Sequence, residues 1–152
     1  MNIEIHRALP EDADALTEIA ITAKRHWNYP ERWIQIWSPQ LTFEPKEIGD
    51  ANIFAATVNN VIAGFYRLTF HQPRAILEDL WVLPVYIGRG VGRTLFEHAL
   101  STCRSANIIA LELDADPNAQ GFYEKMGMHK VAERQTEVDG QPRTLPIMEI
   151  SL

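Results

Sequence analysis

The chain has 152 residues, one ordinary domain's worth, and 46% hydrophobic against 22% charged residues is the usual globular balance, so disorder and collagen-like order are excluded. A formal charge of −6, from 20 acidic and 14 basic residues, argues against nucleic acid or anionic membrane as a partner, because each requires a concentrated basic face. Cys103 is the only cysteine, which rules out an internal disulfide, and His6, His26, His71, His98 and His129 show no HxxxH or HxH spacing, so no metal site is expected. The N-terminal MNIEIHRALPEDAD lacks a basic segment followed by an apolar run, and no stretch approaches the ~20 apolar residues of a membrane span. A cytoplasmic protein with a single domain over residues 1–152 is expected.

Asn2 to Arg7 alternates as a short strand, and Pro10 opens a helix with Glu11 and Asp12 in its first turn, where the helix dipole favours acids. Ala13, Leu16, Ile19, Ala20 and Ala23 form its apolar side. From His26 to Ile48, Pro30, Pro39 and Pro45 predict short broken pieces rich in aromatic residues. Ile53 to Val58 and Val61 to Phe70 read as a hairpin over Asn59-Asn60, and Arg74 to Val82 as a strand ended by Pro84. A helix after Gly88–Gly92 buries Val91, Leu95, Ala99, Leu100 and Cys103. Ile108 to Leu113 is a buried strand, and Asn118 to Met126 a short helix stopped by Gly127. Val131 to Val138 and Leu145 to Ile150 form a hairpin over Asp139-Gly140, where Pro142 and Pro146 place part of the last strand at an edge or make it irregular. The fold class is mixed α/β, a mostly antiparallel sheet with helices packed on its faces.

Two constellations carry chemistry. In the first, a strand ends at Val82-Leu83-Pro84, glycines alternate at Gly88, Gly90 and Gly92, and a helix begins. Glycines let backbone N–H groups converge on a ligand, and at a helix N-terminus those donors are free and carry partial positive charge. An anion cradle for phosphate or pyrophosphate follows. It is neither a P-loop nor a dinucleotide fingerprint, since Arg93 or Leu95 stands where each motif needs glycine. The second is Asp116-Pro117-Asn118-Ala119-Gln120-Gly121-Phe122-Tyr123, running on to Gly127, which opens a helix on an Asn cap with Tyr123 one step off its apolar stripe.

Together, and in this order over essentially the whole chain, these motifs resemble the GCN5-related N-acetyltransferases (GNAT fold). The matching residues are Val82-Leu83-Pro84, Ile87-Gly88-Arg89-Gly90-Val91-Gly92, and Asn118 through Tyr123 to Gly127. Ile87 replaces the usual Arg or Gln, which bears on the strength of pyrophosphate binding because the cradle itself is largely backbone. The resemblance implies acetyl-CoA as co-substrate, with no metal, and a central sheet splayed at the cofactor strand. It implies that backbone at Leu80, Trp81 and Val82 pairs with the pantetheine arm. Amides of Gly88, Arg89, Gly90, Val91, Gly92 and Arg93 would hold the pyrophosphate, with the Arg89 and Arg93 side chains either assisting or simply solvated. Asn118 would contact the cofactor near the departing thiol, and Tyr123 would be the general acid.

For the base, the Leu77-Glu78-Asp79 sequence resembles the polyamine and thialysine acetyltransferase branch, in which the Glu contacts substrate or helps remove its proton. Strand alternation puts Glu78, Leu80 and Val82 on one face and Asp79 and Trp81 on the other. A carboxylate on a buried strand points to function, so Glu78 is the expected base, with Asp79 the alternate. Trp27, Tyr29 and Trp33 either shape the acceptor pocket, where rings can hold a cation, or cover a sheet edge or a homodimer contact. The expected activity is direct acetyl transfer to a primary amine of a small molecule. A protein lysine or N-terminal acetyltransferase and a non-catalytic acyl-CoA sensor are the alternatives.

Overall fold

The computed structural model describes residues 1–152. Seven strands form one sheet: β1 (Ile3–Arg7), β2 (Asn52–Val58), β3 (Val61–His71), β4 (Arg74–Val82), β5 (Ala110–Asp114), β6 (His129–Val138) and β7 (Gln141–Ser151), in the order β1-β2-β3-β4-β5-β7-β6. Every neighbouring pair is antiparallel except β4–β5. Helices α1 (Ala13–Arg25), α2 (Glu31–Leu41) and α3 (Pro45–Ile48) lie on one face, and α4 (Val91–Ser105) and α5 (Gln120–Lys125) on the other. Period-two alternation sends Phe65 into a core with Leu16, Ile19, Phe43 and Ile48, and its neighbour Tyr66 into the opposite core with Leu95, Phe96, Ala99 and Cys103. No helix is long and apolar enough to cross a membrane.

Both hairpin turns have the backbone their residues favour. Asn59 and Asn60 have φ of 51° and 64°, and Asp139 and Gly140 of 50° and 75°, the left-handed pair whose twist matches that of the flanking strands. The segment after His26 differs from expectation. It holds an 11-residue helix, α2, with Pro39 inside it. Ile34 and Leu41 are buried seven positions apart with Trp37 between them, and that packed stripe outweighs a proline confined to the last turn. The final strand lies partly at an edge, as its prolines imply: β6 is the outermost strand, and β7 is interior only along the half that β5 pairs. Its prolines fit because β5 pairs only from Ile147 onward, so the half holding Pro142 and Pro146 has one neighbour. The Pro146 carbonyl accepts from Ala115 N at 2.9 Å, so the ring nitrogen turns away from β6 and the β6 ladder loses no donor there.

Two features of β4 position the site. It pairs with β5 only over Arg74–Ile76, so Leu77–Val82 has β3 alone as a neighbour and the two strands part. It also bulges: Leu77 faces Leu68 and Asp79 faces Arg67, leaving Glu78 without a partner. The extra residue reverses the alternation. Ala75 and Leu77 belong to the α4-side core, as do Leu80 and Val82 after the bulge, while Trp81 packs in the α1-side core. The expected burial of Glu78 is thereby corrected. Glu78 is exposed, and the buried carboxylate is Asp79.

Candidate active site

A cavity of 450 Å³ occupies the gap between β4 and β5. Glu78, Leu80, Trp81, Val82, Gly88, Gly90, Gly92, Arg93, Asn118 and Tyr123 line it, which brings together most of the residues singled out in the sequence. Arg89 and Val91 do not line it: Arg89 is exposed, and the Val91 side chain is in the core. Trp27 also lines this cavity, as does Ile87, which is exposed.

The turn before α4 works as its glycines suggest, with distinct roles for each. Gly88 and Gly90 have φ of 80° and 87°, and a Cβ at either would meet nothing within 4 Å, so glycine is needed there for the backbone angle. Gly92 is close-packed instead: a Cβ would lie 3.2 Å from the Phe122 ring, which would have to shift to admit it. The amides of Gly88, Gly90, Val91, Gly92 and Arg93 donate to no backbone or side-chain acceptor, while Thr94 N returns to Gly90 O. These free donors at the start of a 15-residue helix form a site for an anion. Arg93 is only loosely tied, 3.7 Å from Glu97.

Tyr123 on α5 is buried, yet its hydroxyl makes no hydrogen bond within the protein, and no buried side-chain oxygen is unsatisfied. The hydroxyl therefore opens into the cavity. Burial, reinforced by the charges of Asp79 and Asp116, pushes the phenol above its usual range, so it keeps its proton. Asp79 takes Arg67 Nε at 2.8 Å on one oxygen and Trp81 Nε1 at 2.9 Å on the other. Its burial raises its pKa against the pull of Arg67 and Trp81.

A second cavity, of 290 Å³, lies beside the first and shares Glu78, Asp79, Trp81, Asp114 and Asp116 with it. Its far wall includes Lys24, Trp37, Arg67 and Arg143. Asp116 is the hub there. It binds Lys24 Nζ at 2.9 Å, accepts from the Tyr29 hydroxyl at 2.9 Å and from the Asn118 amide N–H at 2.9 Å, and lies 3.7 Å from Arg143. Burial opposes its ionisation, but Lys24, the Asn118 amide and Tyr29 hold its carboxyl below the usual range. Burial pulls Lys24 below its ordinary value and pushes Tyr29 up to about 12. The Tyr29 hydroxyl also accepts from Asn118 Nδ2 and Arg143, at 3.1 and 3.0 Å. Lys24 stands over the Trp37 ring at 4.2 Å. Trp33 lines neither cavity and stacks on Tyr29 with centroids 5.8 Å apart.

Lys24, Arg67 and Arg143 went unremarked as site residues in the sequence. One signal was visible: Lys24 falls four residues after Ala20, on the apolar stripe of α1, where a lysine is out of place unless it is paired. No group of three or more His, Cys, Asp or Glu side chains is placed to hold a metal ion.

The site therefore combines a splayed parallel pair, a free helix N-terminus at its opening and two adjoining cavities. The profile of the Acetyltransferase (GNAT) family matches residues 14–128, and the chain belongs to that family and is an acyltransferase. A 5-NmdU N-acetyltransferase of Pseudomonas phage PaMx11 is 25% identical over 134 residues, 86% of this chain and 90% of that protein. A Bacillus subtilis (strain 168) protein described as an acetyltransferase is 29% identical over 97 residues, 64% of this chain, and the match spans only 65% of that protein. Among solved structures, a GCN5-related N-acetyltransferase from Rhodopseudomonas palustris superposes with a TM-score of 0.82 at 23% identity, over 100% of this chain and 97% of the other. The PaiA N-acetyltransferase of Thermoplasma acidophilum, solved with coenzyme A, gives 0.79 at 22% identity over the whole of both chains. At these identities the structural likeness establishes the fold.

Proposed function

We propose that the protein moves the acetyl group of acetyl-CoA directly to a primary amine of a small molecule, with the first cavity taking the donor and the second the acceptor. The observation that carries this reading is Glu78, which stands on the bulge between the two cavities and is held by no ion pair or hydrogen bond. Acetyl-CoA fits the first cavity on the chain's own features. The free amides of Gly88 and Gly90–Arg93 suit a pyrophosphate, with Arg93 beside them, and the unpaired edge of β4 at Leu80–Val82 offers a strand-like partner to an extended amide arm. When bound, it supplies an activated acetyl thioester.

An alkylammonium with a pKa near ~10 lies about 3 units from its reactive form at neutral pH, equivalent to about 4 kcal/mol. Glu78 takes that proton, directly or through one water, as the amine attacks the thioester carbonyl. Asp79 is the weaker candidate because Arg67 and Trp81 occupy its two oxygens. The carbon–sulfur bond then breaks, Tyr123 passes its hydroxyl proton to the departing sulfur, and the second proton shed by the nitrogen as it becomes an amide restores the tyrosine hydroxyl through water. Cys103 is buried in the α4-side core with its thiol pushed up to about 11 by burial, which leaves it no part in an acetyl-cysteine route.

The test is a panel of primary amines screened by thiol release in wild type and Glu78→Gln. Amine-dependent thiol from the wild type, strongly reduced in the variant at pH 7, is the expected result. Tight acetyl-CoA binding with no amine-dependent thiol would make the protein a sensor instead.

A further inference from the structure

We propose that the acceptor carries an acidic group beside its amine, as an amino acid with an apolar side chain does, with the ammonium at Glu78 and the carboxylate at Arg143. The inference rests on the reading of the second cavity as the acceptor site. Most of the charges that wall this cavity are already matched. Lys24 pairs with Asp116 at 2.9 Å, Arg67 with Asp79 at 2.8 Å, and Asp114 with Arg134. One anion and one cation remain. Glu78 has no ion-pair or hydrogen-bond partner. Arg143 reaches a carboxylate only at 3.7 Å, on the Asp116 oxygen that Lys24 already holds.

Arg143 is built in, with its side chain only 12% exposed. Its one hydrogen bond goes to the Tyr29 hydroxyl, and its guanidinium lies 4.8 Å from the centre of the Trp37 ring and 5.2 Å from that of Tyr29. Arg143 lines the cavity, and because no fully buried side-chain nitrogen lacks a partner, its remaining N–H groups keep some exposure and are free to bind. A planar fork held this way matches a carboxylate with two parallel hydrogen bonds. Trp37, Leu41, Trp81 and Leu145 supply apolar wall for a side chain. A polyamine is a poorer match, since its second ammonium would meet the Arg143 guanidinium where an amino acid brings its carboxylate.

Trp37 and Trp81 line the cavity, so intrinsic tryptophan fluorescence reports occupancy without turnover. The protein saturated with CoA is titrated with leucine, methionine and phenylalanine, each beside its amide, and with spermidine. At least one acid should bind about tenfold or more tighter than its amide, the effect of one charge-assisted hydrogen bond. Arg143→Gln should bring that ratio to within about twofold, while Arg143→Lys keeps part of it, and neither should change CoA binding. Amides or spermidine binding as tightly as the acids, a ratio that survives in Arg143→Gln, or no saturable response to any acid would each overturn the inference. Failure of the wild type to bind CoA at all would instead refute the acetyltransferase reading on which it rests.

Discussion

Replacing Asp116 with asparagine keeps the shape of the side chain and its acceptor for the Asn118 amide, but removes the charge. Lys24 and Arg143, 2.9 and 3.7 Å from the carboxylate, would then flank the Tyr29 hydroxyl with no anion between them. Their side chains are 11% and 12% exposed, so solvent offers little relief. Removing one member of a buried pair costs about 3–5 kcal/mol. Lys24 has an alternative, which is to shed its proton. From an ordinary value near ~10.4, that costs about 4.6 kcal/mol at pH 7, which sets a ceiling on the penalty. The expected loss is about 3–4.6 kcal/mol, or roughly 6–18 °C in Tm for a chain of this size. The pH dependence has a definite sign. In Asp116→Asn the folded-state pKa of Lys24 is depressed further, so above it the unfolded chain binds more protons than the folded one, and stability rises with pH. The gap to wild type should therefore narrow from pH 7 to about 9, approaching the ordinary lysine pKa. Asp114→Asn is the control, since its partner Arg134 is exposed and the loss should stay under about 1 kcal/mol. Urea unfolding of the three proteins at both pH values measures this. An Asp116→Asn loss below about 1 kcal/mol, or a gap that widens with pH, would refute the buried-pair reasoning.

Gly90→Val should cost about 1–2 kcal/mol in stability, from a φ of 87° rather than from any clash, and should abolish acetyl-CoA binding by calorimetry; unchanged affinity would remove the α4 cradle from the account. Tyr123→Phe should lower kcat about 10²-fold with acetyl-CoA affinity unchanged, and full kcat where chemistry limits the rate would make the hydroxyl structural. Glu78→Gln should lose most rate at neutral pH and partly recover toward pH 9–10, roughly the amine's own pKa, where neutral amine is available without a base. A wild-type pH profile in that variant would shift the role to Asp79 or a water chain.

Much of this arrangement was legible in the sequence because it is local. Asn59-Asn60 and Asp139-Gly140 mark their turns by residue type, the α1 and α4 stripes mark their buried faces, and Gly88 and Gly90 mark left-handed backbone. What escaped depends on partners distant in the chain. The bulge that reverses Glu78 and Asp79 is set by the register of β4 against β3, and neither strand's own pattern encodes it. The second cavity is assembled across 92 residues between Lys24 and Asp116, and Arg143 arrives from a hairpin that reads as plain sheet. Helix α2 was hidden by Pro39, because a breaker is visible in sequence and the core that overrides it is not.

Single-turnover mixing is the most direct test of direct transfer between two adjoining cavities. Protein in excess over acetyl-CoA should release no thiol until an acceptor amine is added, and then one thiol for each N-acetylated amine formed. A burst of thiol from acetyl-CoA alone, leaving an acetylated protein, would contradict it.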